Sequence, residues 1–215
     1  MNKYKFPRIY HIDFSEGSTS DDKFLQSYDH FIGKQVCVSI KMDGENTTIY
    51  DDGSCHARSI DSKDHPSRNW MKRFAGNVGL SLPKNWRICG ENLYAMHSIK
   101  YEELPSYFMV FSIWNQSNHC IGWEETKEIC KRLGLETVPE INPFTADKID
   151  LVNPSIDLTK LEGKEGFVIR NADTFHFDYF TMNLAKWVRM NHIQTDEHWM
   201  SKPVEKNLLK EKSDE

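Results

Sequence analysis

The stretch from Val38 to Tyr50 reads VSIKMDGENTTIY. Val38, Ile40, Thr47, Thr48, Ile49 and Tyr50 are strand formers, yet Lys41, Asp43 and Gly44 sit between the two runs. A lysine held between strands, its stem against apolar neighbours, becomes a nucleophile once its amine sheds the proton. Burial and nearby cations both push its pKa down. Asp43 is placed to orient the amine or help hold a metal. Gly44 lets a ligand or another backbone approach closely. The same residues also make an edge-strand lysine that discourages association of sheets, followed by an Asp-Gly turn. Taken alone, the stretch leaves both readings open.

These side chains need elements to hold them. Residues 1–17 read as an irregular arm. Ser18, Thr19 and Ser20 before Asp21-Asp22 predict a helix start. Phe24, Leu25, Tyr28 and Phe31 continue it at helical spacing, and Gly33 closes it. Strands flank the lysine turn, and Asp51-Asp52-Gly53 signals a hairpin. After Pro66, Trp70, Phe74 and Val78 predict an amphipathic helix whose other face carries Arg68, Lys72 and Arg73. WRICGENLY, SYFMVFSIW, GFVIR and NLAKWVR read as strands. Trp123 to Leu133 reads as a helix with Gly134 as its C-cap. The tail, about 200–215, is charged and is expected to fray or form a short surface helix. Strands and helices mix without a βαβ rhythm. The expected fold is therefore α+β, one domain over 1–215, with antiparallel β-sheets flanked by helices.

Composition narrows the function. Of 215 residues, 39% are hydrophobic and 27% charged, which suits a globular chain rather than a disordered one. The most apolar run, Tyr107 to Trp114, is too short to span a bilayer. The N-terminus shows no secretory pattern, so a cytoplasmic location is expected, with no membrane partner. A net charge of −5 argues against a non-specific coat for nucleic acid. Any polyanion must be held locally, by a basic surface of Arg68, Lys72, Arg73, Lys84 and Arg87. The cysteines at 37, 55, 89, 120 and 130 are widely spaced and form no CxxC. Neither Cys55-His56 nor His119-Cys120 has a second pair at ligand spacing, so buried thiols are the expectation.

Five patches occur in order: Lys41-Met42-Asp43-Gly44, Gly90-Glu91-Asn92-Leu93-Tyr94, the strand around Phe111, Glu165-Gly166-Phe167-Val168-Ile169-Arg170, and Leu184-Ala185-Lys186-Trp187-Val188-Arg189. This series resembles the covalent nucleotidyltransferases, namely ATP-dependent RNA and DNA ligases and mRNA capping enzymes. KMDGEN, with Asn46 soon after the glycine, is closest to the RNA ligase branch. FPRIYHIDFSEGSTSDD and KWVRMNHIQTDEHWM are similar to a small RNA ligase group of phages and bacteria, which places the expected cytoplasm in a bacterial or phage-infected cell.

The resemblance implies an adenylyltransferase domain that uses ATP and Mg2+ (or Mn2+). It implies RNA with 5′-phosphate and 3′-hydroxyl ends as partner, including nicked duplexes. Lys41 would be the nucleophile, with Ile40 beside it in the nucleotide pocket. Glu91 would accept from the ribose hydroxyls and Phe111 would stack on adenine. Glu165, with Asp43, would organise the metal. Lys186 would grip the α-phosphate and help depress the pKa of Lys41. Arg58 would contact ribose or the 5′-phosphate. Asn46 would touch the RNA end, and Arg8, His11 and Arg189 are weaker phosphate candidates. About two dozen residues follow Arg189, too few for the oligonucleotide-binding barrel of DNA ligases and capping enzymes. Either the domain acts alone or a partner completes it. The rival readings are a DNA nick ligase, more remotely a GTP-using capping enzyme, and a non-catalytic nucleotide or RNA-end binder.

Overall fold

The structure, a computed structural model, describes residues 2–141, 144–145, 161–190 and 203–211. In chain order the strands are β1 (Tyr10–His11), β2 (Gln35–Lys41), β3 (Glu45–Tyr50), β4 (Cys55–Ala57), β5 (Arg87–Asn92), β6 (Phe108–Trp114), β7 (His119–Cys120), β8 (Glu136–Thr137), β9 (Phe144–Thr145), β10 (Gly166–Asn171), β11 (Phe175–His176) and β12 (Leu184–Val188). The helices are α1 (Asn69–Gly79), α2 (Trp123–Leu133) and the short α3 (Phe180–Asn183). One sheet has the order β1-β12-β10-β2-β9, and the other β11-β7-β6-β5-β3-β4 with β8 beside β6. Pairing is antiparallel except for β1 with β12 and β6 with β8. The fold is α+β with antiparallel sheets, as the sequence predicts.

The chain passes from the first sheet to the second between β2 and β3, at Lys41 to Gly44. Apolar alternation along β2 and β10 sends Val38, Ile40, Phe167 and Ile169 into a core shared with Leu93, Met109 and Trp123. A second core holds Ile49, Ile88, Val110 and Ile113 together with Met71 and Ala75 of α1 and Ile129 of α2. Gly134 ends α2 at φ 65°, a left-handed cap that glycine adopts without strain. No helix among the described residues is long and apolar enough to cross a membrane.

Three expectations are corrected. Residues 18–33 form turns rather than a helix. Asp22 binds the amide and hydroxyl of Thr19 in one tight turn. The chain then runs extended, and Phe24 bridges His11 in parallel, so long-range pairing overrides the helical spacing. Arg87 is not a surface cation: it is 4% exposed, stacked on Tyr4 and Trp114 and bonded to Asn118. The described tail neither frays nor coils into a helix. Lys206 and Leu209 form bridges with Ala95 and Leu104, and Asn207 is fully buried.

Candidate active site

Strand register builds the site floor. In the first sheet Gly166 of β10 lies between Lys41 of β2 and Val188 of β12. Two residues along, Val168 lies between Ser39 and Lys186, and next Arg170 lies between Cys37 and Leu184. Side chains share a face every second residue. Lys41, Ser39, Val168, Lys186 and Arg170 therefore line one cavity of about 590 Å³, closed from the second sheet by Glu91 and Phe111.

Lys41 Nζ is 2.5 Å from Glu165 Oε1, with side-chain exposures of 26% and 10%. Burial alone would pull the Lys41 ammonium down, but the charge of Glu165, then of Glu91, outweighs it and holds the pKa above the ordinary lysine value. This reverses the expected depression. The like-charge effect falls on the other partner: burial, then the charge of Lys41, lowers Lys186. Burial pushes the Glu91 carboxyl up to about 8 against the attraction of Lys41, with Glu165 and Asp43 adding like charge.

The turn after Lys41 is fixed on both sides. Asp43 Oδ2 accepts from the amides of Ser98 and Ile99, both at 2.7 Å, and the Asp43 amide donates to Tyr101 Oη at 2.9 Å. Asp43 thus anchors a loop, a role its sequence position did not suggest. The Gly44 amide lies near enough to Glu91 to favour its ionised form. A Cβ at Gly44 would stand 2.6 Å from the Asn92 carbonyl oxygen, so the glycine serves close approach of β5.

Lys186 is backed by a half-buried acid, Asp22, and a buried histidine, His11. Asp22 Oδ1 lies 3.8 Å from Lys186 Nζ and 3.3 Å from His11 Nε2, and His11 Nδ1 meets Ser15 Oγ at 2.7 Å. Burial, then the charge of Lys186, brings His11 down to about 4, Asp22 opposing. His11 is 1% exposed and is not among the residues that line the cavity. Arg8 donates to the Asp21 carbonyl and is outside the cavity wall, although its neighbours Phe6 and Pro7 line it. Arg189 donates through Nε to the Lys164 carbonyl and through its amide to that of Glu165, which fixes the Glu165 turn.

The remaining wall joins Ile40, Met42, Asn46, Arg58, Ser59 and Arg68. Phe111 meets Phe6 edge-on at 5.1 Å. Asn46 Oδ1 is buried and lacks a hydrogen-bond partner. The Arg68 guanidinium grips Glu45 through Nε at 2.8 Å and through Nη2. Lys72 pairs with Asp64, so two of the expected basic-surface residues already face carboxylates. Sequence reasoning missed Asp22, the Glu45–Arg68 pair and Tyr101. None carries a local signal, since each gains meaning only from a partner far along the chain.

The RNA ligase family profile matches residues 34–188, and the chain belongs to that family. Among solved structures it is similar to an archaeal ATP-dependent RNA ligase at 19% identity and TM-score 0.55, covering 85% of this chain and 48% of the other. A putative ATP-dependent DNA ligase from Aquifex aeolicus matches at 21% identity and TM-score 0.55, covering 89% and 51%. A Naegleria gruberi RNA ligase with PPi matches at 19% identity and TM-score 0.53, covering 87% and 62%. At such identities the likeness speaks for the fold. The chain spans about half the length of the first of these structural relatives. No curated protein matches the sequence.

Proposed function

We propose that the chain is an ATP-dependent RNA ligase that joins 5′-phosphate to 3′-hydroxyl ends through a lysyl-AMP. The observation that carries this is Lys41, paired with Glu165, in a nucleotide-sized cavity that Glu91 and Lys186 also line. Lys41 Nζ attacks the α-phosphorus of ATP. The N–P bond forms, the bond to the bridging oxygen breaks, pyrophosphate leaves and the amine loses its proton. An oxygen of the RNA 5′-phosphate then takes the AMP: a phosphoanhydride bond forms, the N–P bond breaks, Lys41 regains a proton and the RNA's own 5′-phosphorus is activated. The 3′-hydroxyl attacks that activated phosphorus, AMP departs and the hydroxyl proton is released.

The residues have separate tasks. Glu165 orients the Lys41 amine and takes part in its proton balance. Lys186, on the same face, meets charge that builds on the α-phosphate oxygens. Glu91 receives the ribose hydroxyls, while Phe111 and Ile40 contact the adenine. Arg58 and Asn46, which also line the cavity, face the ribose and the RNA end.

The donor set fits a divalent cation. The charge of Glu165, then of Glu91, raises Lys41 against its burial, whereas Glu91 itself is raised first by burial. Magnesium binds through one or two carboxylates plus substrate phosphates, so Glu165 would hold it together with the triphosphate, leaving Glu91 to the ribose. Asp43 already spends Oδ2 on two amides, which favours the anchor role over direct ligation. When bound, the cation supplies Lewis acidity and offsets the carboxylate charge that keeps Lys41 protonated.

The test is a ligation assay on a nicked duplex with a labelled 5′-phosphate, the 3′-hydroxyl side being RNA or DNA. Sealing should require ATP and favour RNA at that side, with transient adenylylation of the 5′ end. Equal sealing with DNA supports the nick ligase instead. RNA retention without AMP release indicates a binder.

A further inference from the structure

The Asp43 anchor leads to a residue at the other end of the chain. Asp43 is held by the amides of Ser98 and Ile99 and by Tyr101 Oη. Those three residues belong to the connection between β5 and β6, which is not itself part of either sheet. What holds that connection is the segment around Asn207. Met96 donates to the Glu205 carbonyl at 2.8 Å, Leu208 to that of Tyr101 at 2.9 Å, and Leu104 to that of Leu208 at 2.9 Å. The Asn207 side chain supplies the centre. Its Nδ2 donates to the Leu93 carbonyl at 2.8 Å, and its Oδ1 accepts from the Tyr101 amide at 2.9 Å. Its own carbonyl accepts from Tyr107 Oη at 3.0 Å.

Tyr101 is therefore gripped at both ends: its amide by Asn207, its hydroxyl by the Asp43 amide. We propose that Asn207 is a positioning residue for the nucleophile, acting through Tyr101 and Asp43 on the turn that aims Lys41. It does not line the cavity. The reasoning is geometric. Lys41 ends β2, so its Cα is set by the sheet, but the direction in which the chain leaves depends on Asp43. Asp43 is set by a loop that lacks regular structure and is tied down by the chain around 205–210. Asn207 satisfies buried backbone groups that would otherwise lose partners.

This rests on the adenylylation reading for its kinetic readout, and a second readout is independent of it. The variants are Asn207→Ala, Tyr101→Phe and their double, in the full chain. The first measurement is amide hydrogen exchange over residues 41–44 and 97–101, well below the unfolding temperature. Asn207→Ala should speed exchange in both segments, and unchanged protection overturns the proposal whether or not the protein is a ligase. The second is single-turnover lysyl-AMP formation at saturating ATP. Asn207→Ala should slow it about 100-fold, the scale of a misaligned nucleophile, with little change in the ATP concentration needed for half-saturation. The double variant should be no slower than the worse single one, because both act along one route. Additive losses, or a wild-type rate in Asn207→Ala, refute it. Should Asn207→Ala fail to fold, Tyr101→Phe decides alone: a wild-type rate or unchanged exchange at 41–44 refutes the route. If wild type never acquires AMP, the ligase reading falls and the exchange result stands by itself.

Discussion

Lys41 and Lys186 share one face of the first sheet, yet their surroundings move their pKa values in opposite directions. Lys41 faces Glu165 at 2.5 Å and is held protonated, whereas Lys186, with Asp22 at 3.8 Å, is lowered by burial and by Lys41. Lys41 thus rests charged, and the proposed attack on ATP requires that its proton first be given up.

Replacing Glu165 separates charge from catalysis. Glu165→Gln removes the largest attraction that raises Lys41, so the amine should react with an acylating reagent at lower pH. Adenylylation should nevertheless fall about 100-fold, because the oriented acid is gone. Peptide mass spectrometry of Lys41 labelling across pH, beside single-turnover kinetics, checks both. An unmoved labelling midpoint would refute the electrostatic account.

Glu91 carries a stability signature. Its folded pKa of about 8 exceeds the ordinary carboxylate value, so between about 4.5 and 8 the folded state holds a proton that the unfolded state has lost. Stability from this group then falls as pH rises through that window. Glu91→Gln should raise the melting temperature at pH 8 by a few degrees and give little gain at pH 4, while weakening ATP use. Parallel thermal melts at the two pH values measure it.

His11 works with the opposite sign. Its folded pKa of about 4 lies below the unfolded 6.5, so stability is lost as pH falls between those values. The slope approaches about 1.4 kcal/mol per pH unit at most. His11→Gln should flatten the acid side of a denaturation profile. A profile as steep as wild type would show that another group sets acid sensitivity.

Phe111 tests the nucleotide pocket. Base–aromatic stacking is worth about 1–3 kcal/mol, so Phe111→Ala should weaken ATP binding about tenfold or more. Calorimetry with a non-hydrolysable ATP analogue reads this directly, and unchanged affinity would assign the ring to the core alone.

The sheets were legible because their strands are local patterns. GFVIR and NLAKWVR appear as β10 and β12, and Gly134 caps α2 in the left-handed conformation its sequence position implied. The segment holding Phe24 and Tyr28 was misread because helical spacing competes with pairing to His11, and spacing carries no trace of a distant partner. Arg87 was misread because a cation can be buried when aromatic rings and an amide oxygen receive it. Motif order marks Lys41, Glu91, Phe111, Glu165 and Lys186 as one group, and strand register gives the geometry of Lys41 and Lys186. Asp22 and Asn207 were invisible, since their meaning lies in contacts across most of the chain.

Intact mass spectrometry tests the central claim most directly. The purified chain is first cleared with pyrophosphate and then incubated with ATP and Mg2+. One AMP should be added, mapping to Lys41, and Lys41→Ala should gain none. A wild-type chain that never gains the adduct, or a Lys41→Ala chain that gains it equally, would contradict the account.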